Sequence, residues 1–289
     1  MATFSTGRVT ANGISFGYFE KGQGPLLLCL HGFPDTPRSF HYQIDYFSKR
    51  GYHVVAPFLR GYAPTEIAEG SYQTAVLGED ALELIGALGY KDAVVWGHDW
   101  GATIANSAAI LDPGKINALI TMAIPFGTMK RALLSNYEQQ RRSWYIFFFQ
   151  LPIAELAVSL DNMVFLDRLW KDWSVTVAQE ELDFAKETLR QPGVLSAALK
   201  YYRHMMSPST RDPAFSEKQK SLETGKVPVK SLYLHGAQDA CAGVELLDGM
   251  EDYFTAGLEK VVIPGAGHFL HLEKPSEVNQ IVARFLLGE

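Results

Sequence analysis

Asp92-Ala93-Val94-Val95-Trp96-Gly97-His98-Asp99-Trp100-Gly101-Ala102-Thr103-Ile104-Ala105-Asn106-Ser107-Ala108 is the stretch whose reading decides the fold. It begins as a short apolar run suited to a buried strand, turns between Gly97 and Gly101, and continues as a helix of small residues. A strand, a tight glycine-flanked turn and a helix in succession can hold one central side chain exposed above a sheet. Here that side chain is Asp99. A carboxylate at this point would sit at a helix N-terminus, where free N–H groups and the positive dipole end favour negative charge. Carboxylates displace at saturated carbon, giving an alkyl ester that a second step must hydrolyse. The plainer alternative for Asp99 is a helix N-cap, although a cap needs neither the flanking glycines nor a small-residue helix.

Outward from this stretch, strands alternate with helices. Val9 to Glu20 reads as a hairpin with turns at Asn12-Gly13 and Gly22-Gln23-Gly24, and Leu26 to Leu30 as a strand buried on both faces. Further strands are expected at Tyr52 to Ala56, Asp92 to Trp96, Ile116 to Ile124, Val229 to Leu234 and Lys260 to Ile263, with helices such as Thr74 to Leu88 and Ala102 to Leu111 between them. That alternation predicts an α/β protein with a mostly parallel central sheet and helices on both faces. The rhythm breaks after Pro125. From Gly127 to about Ser207 the pattern is helical, including Gln179 to Arg190 and Val194 to Met206. The expected organisation is a core segment (1–126), a helical cap inserted between two core strands (127–214) and a second core segment (215–289).

Composition narrows the class. The chain has 289 residues, 47% hydrophobic and 20% charged, which suits a folded globular protein with a substantial core. A net charge of −6 has the wrong sign for a phosphate-neutralising surface, so nucleic acid is not the expected partner. Cys29 and Cys241 imply no disulfide framework. The first ten residues lack a secretory pattern and no apolar run reaches membrane-spanning length, so a cytoplasmic location without membrane association is expected.

A two-step ester mechanism needs a base to activate water. His268, in Gly265-Ala266-Gly267-His268-Phe269 after the last expected strand, falls on a loop at the C-terminal edge of the sheet, where open α/β sheets bind ligands. The other seven histidines are weaker candidates, and the absence of an HExxH motif or a Cys/His cluster argues against a metal. Asp239, just past the strand ending at Leu234, could orient the imidazole, or cap a helix over Val244 to Tyr253, or both. The N–H groups of Trp100 and Phe33 are the candidate oxyanion hole; Pro34 has no N–H to offer.

Together, His31-Gly32-Phe33-Pro34, Gly97-His98-Asp99-Trp100-Gly101 and Gly267-His268-Phe269 with Glu273 to Gln280 resemble the epoxide hydrolases of the α/β-hydrolase fold, over most of the chain. The chain order of nucleophile, acid and histidine agrees with that fold. The resemblance implies hydrolysis of a small hydrophobic epoxide to a vicinal diol, with no metal or organic cofactor. It also implies two cap tyrosines that protonate the ring oxygen. Trp144 to Pro152, containing Tyr145 and Gln150, is similar to the family's first tyrosine motif, and Tyr202-Arg203-His204-Met205 to its second. Helical periodicity leaves open whether Tyr201 or Tyr202 faces the site, because both lie on apolar stripes. Eight aromatics between Trp144 and Trp173 suggest an apolar pocket ceiling, although core packing is the plainer account and explains most of them. Phe33, Pro34, Trp100, Trp144, Phe148, Phe149 and Phe269 are the expected walls.

Two other readings compete. A dehalogenase would use the same Asp nucleophile, but Phe33 stands where many haloalkane dehalogenases carry a halide-binding Asn, and a halide needs no proton from two tyrosines. A non-catalytic ligand-binding protein would have no use for the full triad. Oligomeric state cannot be read from the sequence.

Overall fold

In the computed structural model, which describes residues 4–288, β1 (Ser5–Ala11) and β2 (Ile14–Lys21) pair as a hairpin turning at Asn12-Gly13. Residues 1–3 and 289, the outer ends of the expected core segments, lie outside the described residues. The sheet continues with β3 (Leu26–Leu30), β4 (His53–Pro57), β5 (Ala93–His98), β6 (Ile116–Met122), β7 (Ser231–Gly236) and β8 (Leu258–Ile263). Its order is β1-β2-β4-β3-β5-β6-β7-β8. β2 pairs antiparallel with both β1 and β4, and every later pairing is parallel.

The helices follow in chain order: α1 (His41–Ser48), α2 (Thr74–Ala87), α3 (Trp100–Leu111), then α4 (Thr128–Ser135), α5 (Tyr137–Arg142), α6 (Trp144–Phe148), α7 (Ala154–Trp173), α8 (Gln179–Leu189) and α9 (Val194–Met206) with no strand among them. α10 (Ser216–Thr224) precedes β7, and α11 (Leu270–Glu273) and α12 (Pro275–Leu287) close the chain. The strand period of two divides the core. Leu26, Leu28 and Leu30 of β3 point into one cluster with α2 and α3, whereas Leu27 and Cys29 point into another with α1 and α12. β5 repeats the division, Ala93 and Val95 against Val94 and Trp96. Burial on both faces is why these strands read as continuous apolar runs.

One expectation is corrected. Val244 to Tyr253 is not a helix but two 3-10 turns, Val244–Leu247 and Met250–Tyr253, parted at Gly249, whose φ is 78°. α7 is interrupted by a left-handed turn at Asp161, Asn162 and Met163 (φ 47°, 58° and 61°), a break that apolar periodicity does not announce. Among the described residues no helix is long and apolar enough to cross a membrane.

Candidate active site

β5 passes into α3 through Asp99, whose φ of 53° and ψ of −116° are uncommon for a residue with a side chain. The turn is this sharp because α3 packs directly on β3. A Cβ on Gly101 would run into the Leu30 carbonyl, so only glycine fits. Gly101→Ala is expected to cost about 3 kcal/mol, near the upper end for overpacking, and the loss should appear as a lower midpoint in denaturant unfolding. The Asp99 carboxylate does not cap α3. Its Oδ1 instead accepts a 2.8 Å hydrogen bond from the Phe33 N–H on the loop after β3.

The other oxygen, Oδ2, lies 3.5 Å from His268 Nε2. The opposite ring nitrogen, Nδ1, is 2.9 Å from Asp239 Oδ2. Asp239 comes from the loop after β7, and its Oδ1 accepts the N–H groups of Cys241 (2.7 Å) and Ala242 (3.0 Å), so the carboxylate is fixed by its own turn. The His268 N–H donates to the Trp173 carbonyl at the end of α7 (2.8 Å), tying the histidine loop to the helical insert. Burial alone would push the His268 pKa down; the Asp239 carboxylate outweighs it, helped by the proximity of Asp99, and the result lies well above 6.5. For Asp239, burial would act upward, and the imidazole reverses it to below 3.8.

Above this line sit the tyrosines. Tyr145 and Tyr202 are both buried, with ring centroids 5.8 Å apart in an edge-on arrangement. The Tyr202 ring also packs on Phe33 (5.4 Å), Trp100 (5.2 Å) and Phe149 (5.1 Å). Tyr201, on the neighbouring stripe of α9, donates its hydroxyl to the Arg60 carbonyl (2.8 Å), so only Tyr202 has a hydroxyl to spare. Burial raises the pKa of both Tyr145 and Tyr202 well above 10, with further upward contributions from Cys241 at Tyr145 and from Asp99 at Tyr202. Both therefore hold their protons at neutral pH.

The expected wall residues divide. Phe33, Trp100 and Phe149 contact Tyr202, and the Pro34 carbonyl accepts a hydrogen bond from the Trp170 indole N–H (2.9 Å). Phe269 stacks face to face on Trp170 at 3.8 Å and meets His268 edge-on. Trp144 does not fit the expectation. It is 47% exposed and its ring packs on Phe148 and Phe165 instead of any site side chain. Phe148 is half-buried and stacks on Phe165.

The structure adds residues that sequence reasoning passed over. The Cys241 sulfur, a carboxylate oxygen of Asp99 and a ring nitrogen of His268 lie within 4.8 Å of one another. Gln139 of α5 is fully buried and bridges the insert to the acid loop, donating to the Cys241 carbonyl (2.8 Å) and accepting from the Gly243 N–H (3.0 Å). Asp35, His98 and His271 form a second buried group behind the histidine loop, where burial and the neighbouring His98 hold His271 well below 6.5. Only Cys241 had a sequence cue, its place two residues after Asp239.

Comparison with known proteins accords with this geometry. The alpha/beta hydrolase fold family matches residues 25–275. Epoxide hydrolase 3 of Xenopus tropicalis is 34% identical over 96% of this chain and 76% of its own length. The AB hydrolase superfamily protein YfhM of Bacillus subtilis (strain 168) is 32% identical over 97% of each chain. Among solved structures, a mutant epoxide hydrolase from Bacillus megaterium, complexed with its naphthyloxy-propanediol product, superposes with a TM-score of 0.83 at 32% identity, covering 97% of this chain and 99% of that one.

Proposed function

The chain belongs to the epoxide hydrolases of the α/β-hydrolase fold, and from that premise we propose that it opens a hydrophobic epoxide through a covalent ester on Asp99. The observation that carries this reading is the division of labour between the two Asp99 oxygens. Oδ1 is held by the Phe33 N–H, and Oδ2 is left facing His268.

In the first step Oδ2 forms a bond to one epoxide carbon while the carbon–oxygen bond of the ring breaks. The ring oxygen takes a proton from a cap tyrosine, which avoids an alkoxide leaving group. Esterification removes the Asp99 charge, one of the influences that keep His268 protonated, so the alkyl-enzyme favours the neutral imidazole. His268 then accepts a proton from water, and the hydroxide adds to the Asp99 carboxyl carbon. The tetrahedral oxyanion develops on the oxygen that Phe33 N–H already holds, with the Trp100 N–H at the start of α3 as the second donor. Collapse breaks the ester carbon–oxygen bond; His268 returns its proton to the departing alkoxide to complete the diol, and the proton left on the Asp99 carboxyl goes back to the tyrosinate, restoring both groups. Asp239 holds the imidazole tautomer throughout. No step calls on a metal or organic cofactor.

Residues 127–214 act as the cap in this account, bringing Tyr145 and Tyr202 over the nucleophile. The aromatic surroundings of Tyr202, and the aryl-bearing diol held by the Bacillus megaterium relative, support a hydrophobic substrate. A panel of styrene oxide, a fatty epoxide and a haloalkane tests the reaction class. Diol from an epoxide without halide release is the expected result; halide release without diol would replace this reading with the dehalogenase one.

Asp239→Asn gives a pH prediction. Asp239 raises the His268 pKa, and His268 must be neutral to act as base, so the position of the rising limb of ester hydrolysis depends on that carboxylate. With Asn the limb should move to lower pH, while the plateau falls by about 10²-fold or more because the developing imidazolium loses its partner. A pH–rate profile of both proteins reads both changes.

A further inference from the structure

The two tyrosines over Asp99 are not bonded alike. Tyr145 Oη lies 3.3 Å from the Cys241 sulfur, within reach of a hydrogen bond to a thiol. Tyr202 Oη is buried and has no hydrogen-bond partner among the described residues. An unpaired buried hydroxyl is costly in a folded chain, which singles out Tyr202 as the group kept for the ring oxygen.

Cys241 is not a loosely placed thiol. Asp239 Oδ1 accepts its N–H, Gln139 Nε2 donates to its carbonyl, and the following N–H groups at Ala242 and Gly243 are held by the same two side chains. Its backbone is therefore clamped from the core by the acid of the triad and from the insert by α5. The side chain is fully buried, and Tyr145, set on α6, meets it there. Burial raises the thiol pKa, so the group remains a neutral hydrogen-bonding partner and not a thiolate competing with Asp99 for the epoxide.

From this geometry, and resting on the ring-opening reading above, we infer that Cys241 is a positioning residue. It engages the Tyr145 hydroxyl, leaving Tyr202 as the principal proton donor to the ring oxygen. When Tyr145 donates to sulfur, its proton points away from the substrate and must be turned back before it can serve. Removing the thiol frees Tyr145 to share the task.

The test is a mutant cycle on the 289-residue chain, read as the single-turnover rate of alkyl-enzyme formation with styrene oxide. Tyr202→Phe should slow alkylation about 100-fold and Tyr145→Phe no more than about tenfold, within the range for general acid catalysis. In the Cys241→Ala background the loss on Tyr202→Phe should shrink by about threefold or more, because the freed Tyr145 takes over part of the transfer. A thiol that only fills space would lower both rates alike and leave that ratio unchanged, and this outcome overturns the inference. Equal losses in Tyr145→Phe and Tyr202→Phe overturn it as well. A wild type that makes no diol would instead strike at the ring-opening reading, so the two failures are distinguishable.

Discussion

Asp99→Ala is expected to lower turnover by about 10⁴-fold or more while leaving a cooperatively folded protein. The nucleophile has no substitute in reach. Tyr145, Tyr202 and the Cys241 thiol all hold their protons, since burial raises each pKa. What remains after the substitution is His268 with Asp239, a base that can activate water but has no ester on which to direct it. The fold should survive because Ala keeps a Cβ at the same backbone geometry, and among the described residues the carboxylate accepts one hydrogen bond, from Phe33 N–H, beside its 3.5 Å approach to His268 Nε2. Residual diol formation measured beside far-UV circular dichroism separates lost chemistry from lost structure.

His268→Ala should fail differently. Alkylation needs Asp99 and the tyrosines but not the imidazole, so one equivalent of epoxide should be consumed per enzyme and then the reaction should stop. Ester hydrolysis should slow by about 10³-fold or more, the loss of a positioned base together with its orienting acid. Because ring opening adds the whole epoxide to the carboxylate, intact-protein mass spectrometry should show an increase equal to the substrate mass, carried on the peptide containing Asp99. An unmodified protein after incubation would mean that the histidine acts before the covalent step.

The arrangement of Asp99, Asp239 and His268 in the candidate site was legible in sequence because its elements are marked by local chemistry. Gly97 and Gly101 bracket Asp99 where α3 must touch β3, and a close backbone approach leaves no residue but glycine. His268 and Asp239 follow neighbouring strands that run parallel, so their loops had to emerge at the same edge of the sheet. Side-chain direction was less legible. α6 has only five residues, too few for periodicity to say which face is inward, and Trp144 proved half-exposed while Tyr145 beside it is buried. On α9 both Tyr201 and Tyr202 are buried, so apolar patterning could not choose between them; hydrogen bonding to the Arg60 carbonyl distinguishes them. The contact between Gln139 and Cys241 was out of reach, because it spans a hundred residues between α5 and the loop after β7, whose sequences carry no shared signal.

The central claim is that an oxygen of Asp99, and not of water, becomes bonded to the substrate carbon. A single turnover in ¹⁸O-water, with enzyme in excess over epoxide, tests it most directly. The expected result is a diol without label and enzyme that has taken up ¹⁸O in the Asp99 carboxylate. A first-turnover diol carrying one ¹⁸O, with unlabelled enzyme, would contradict it.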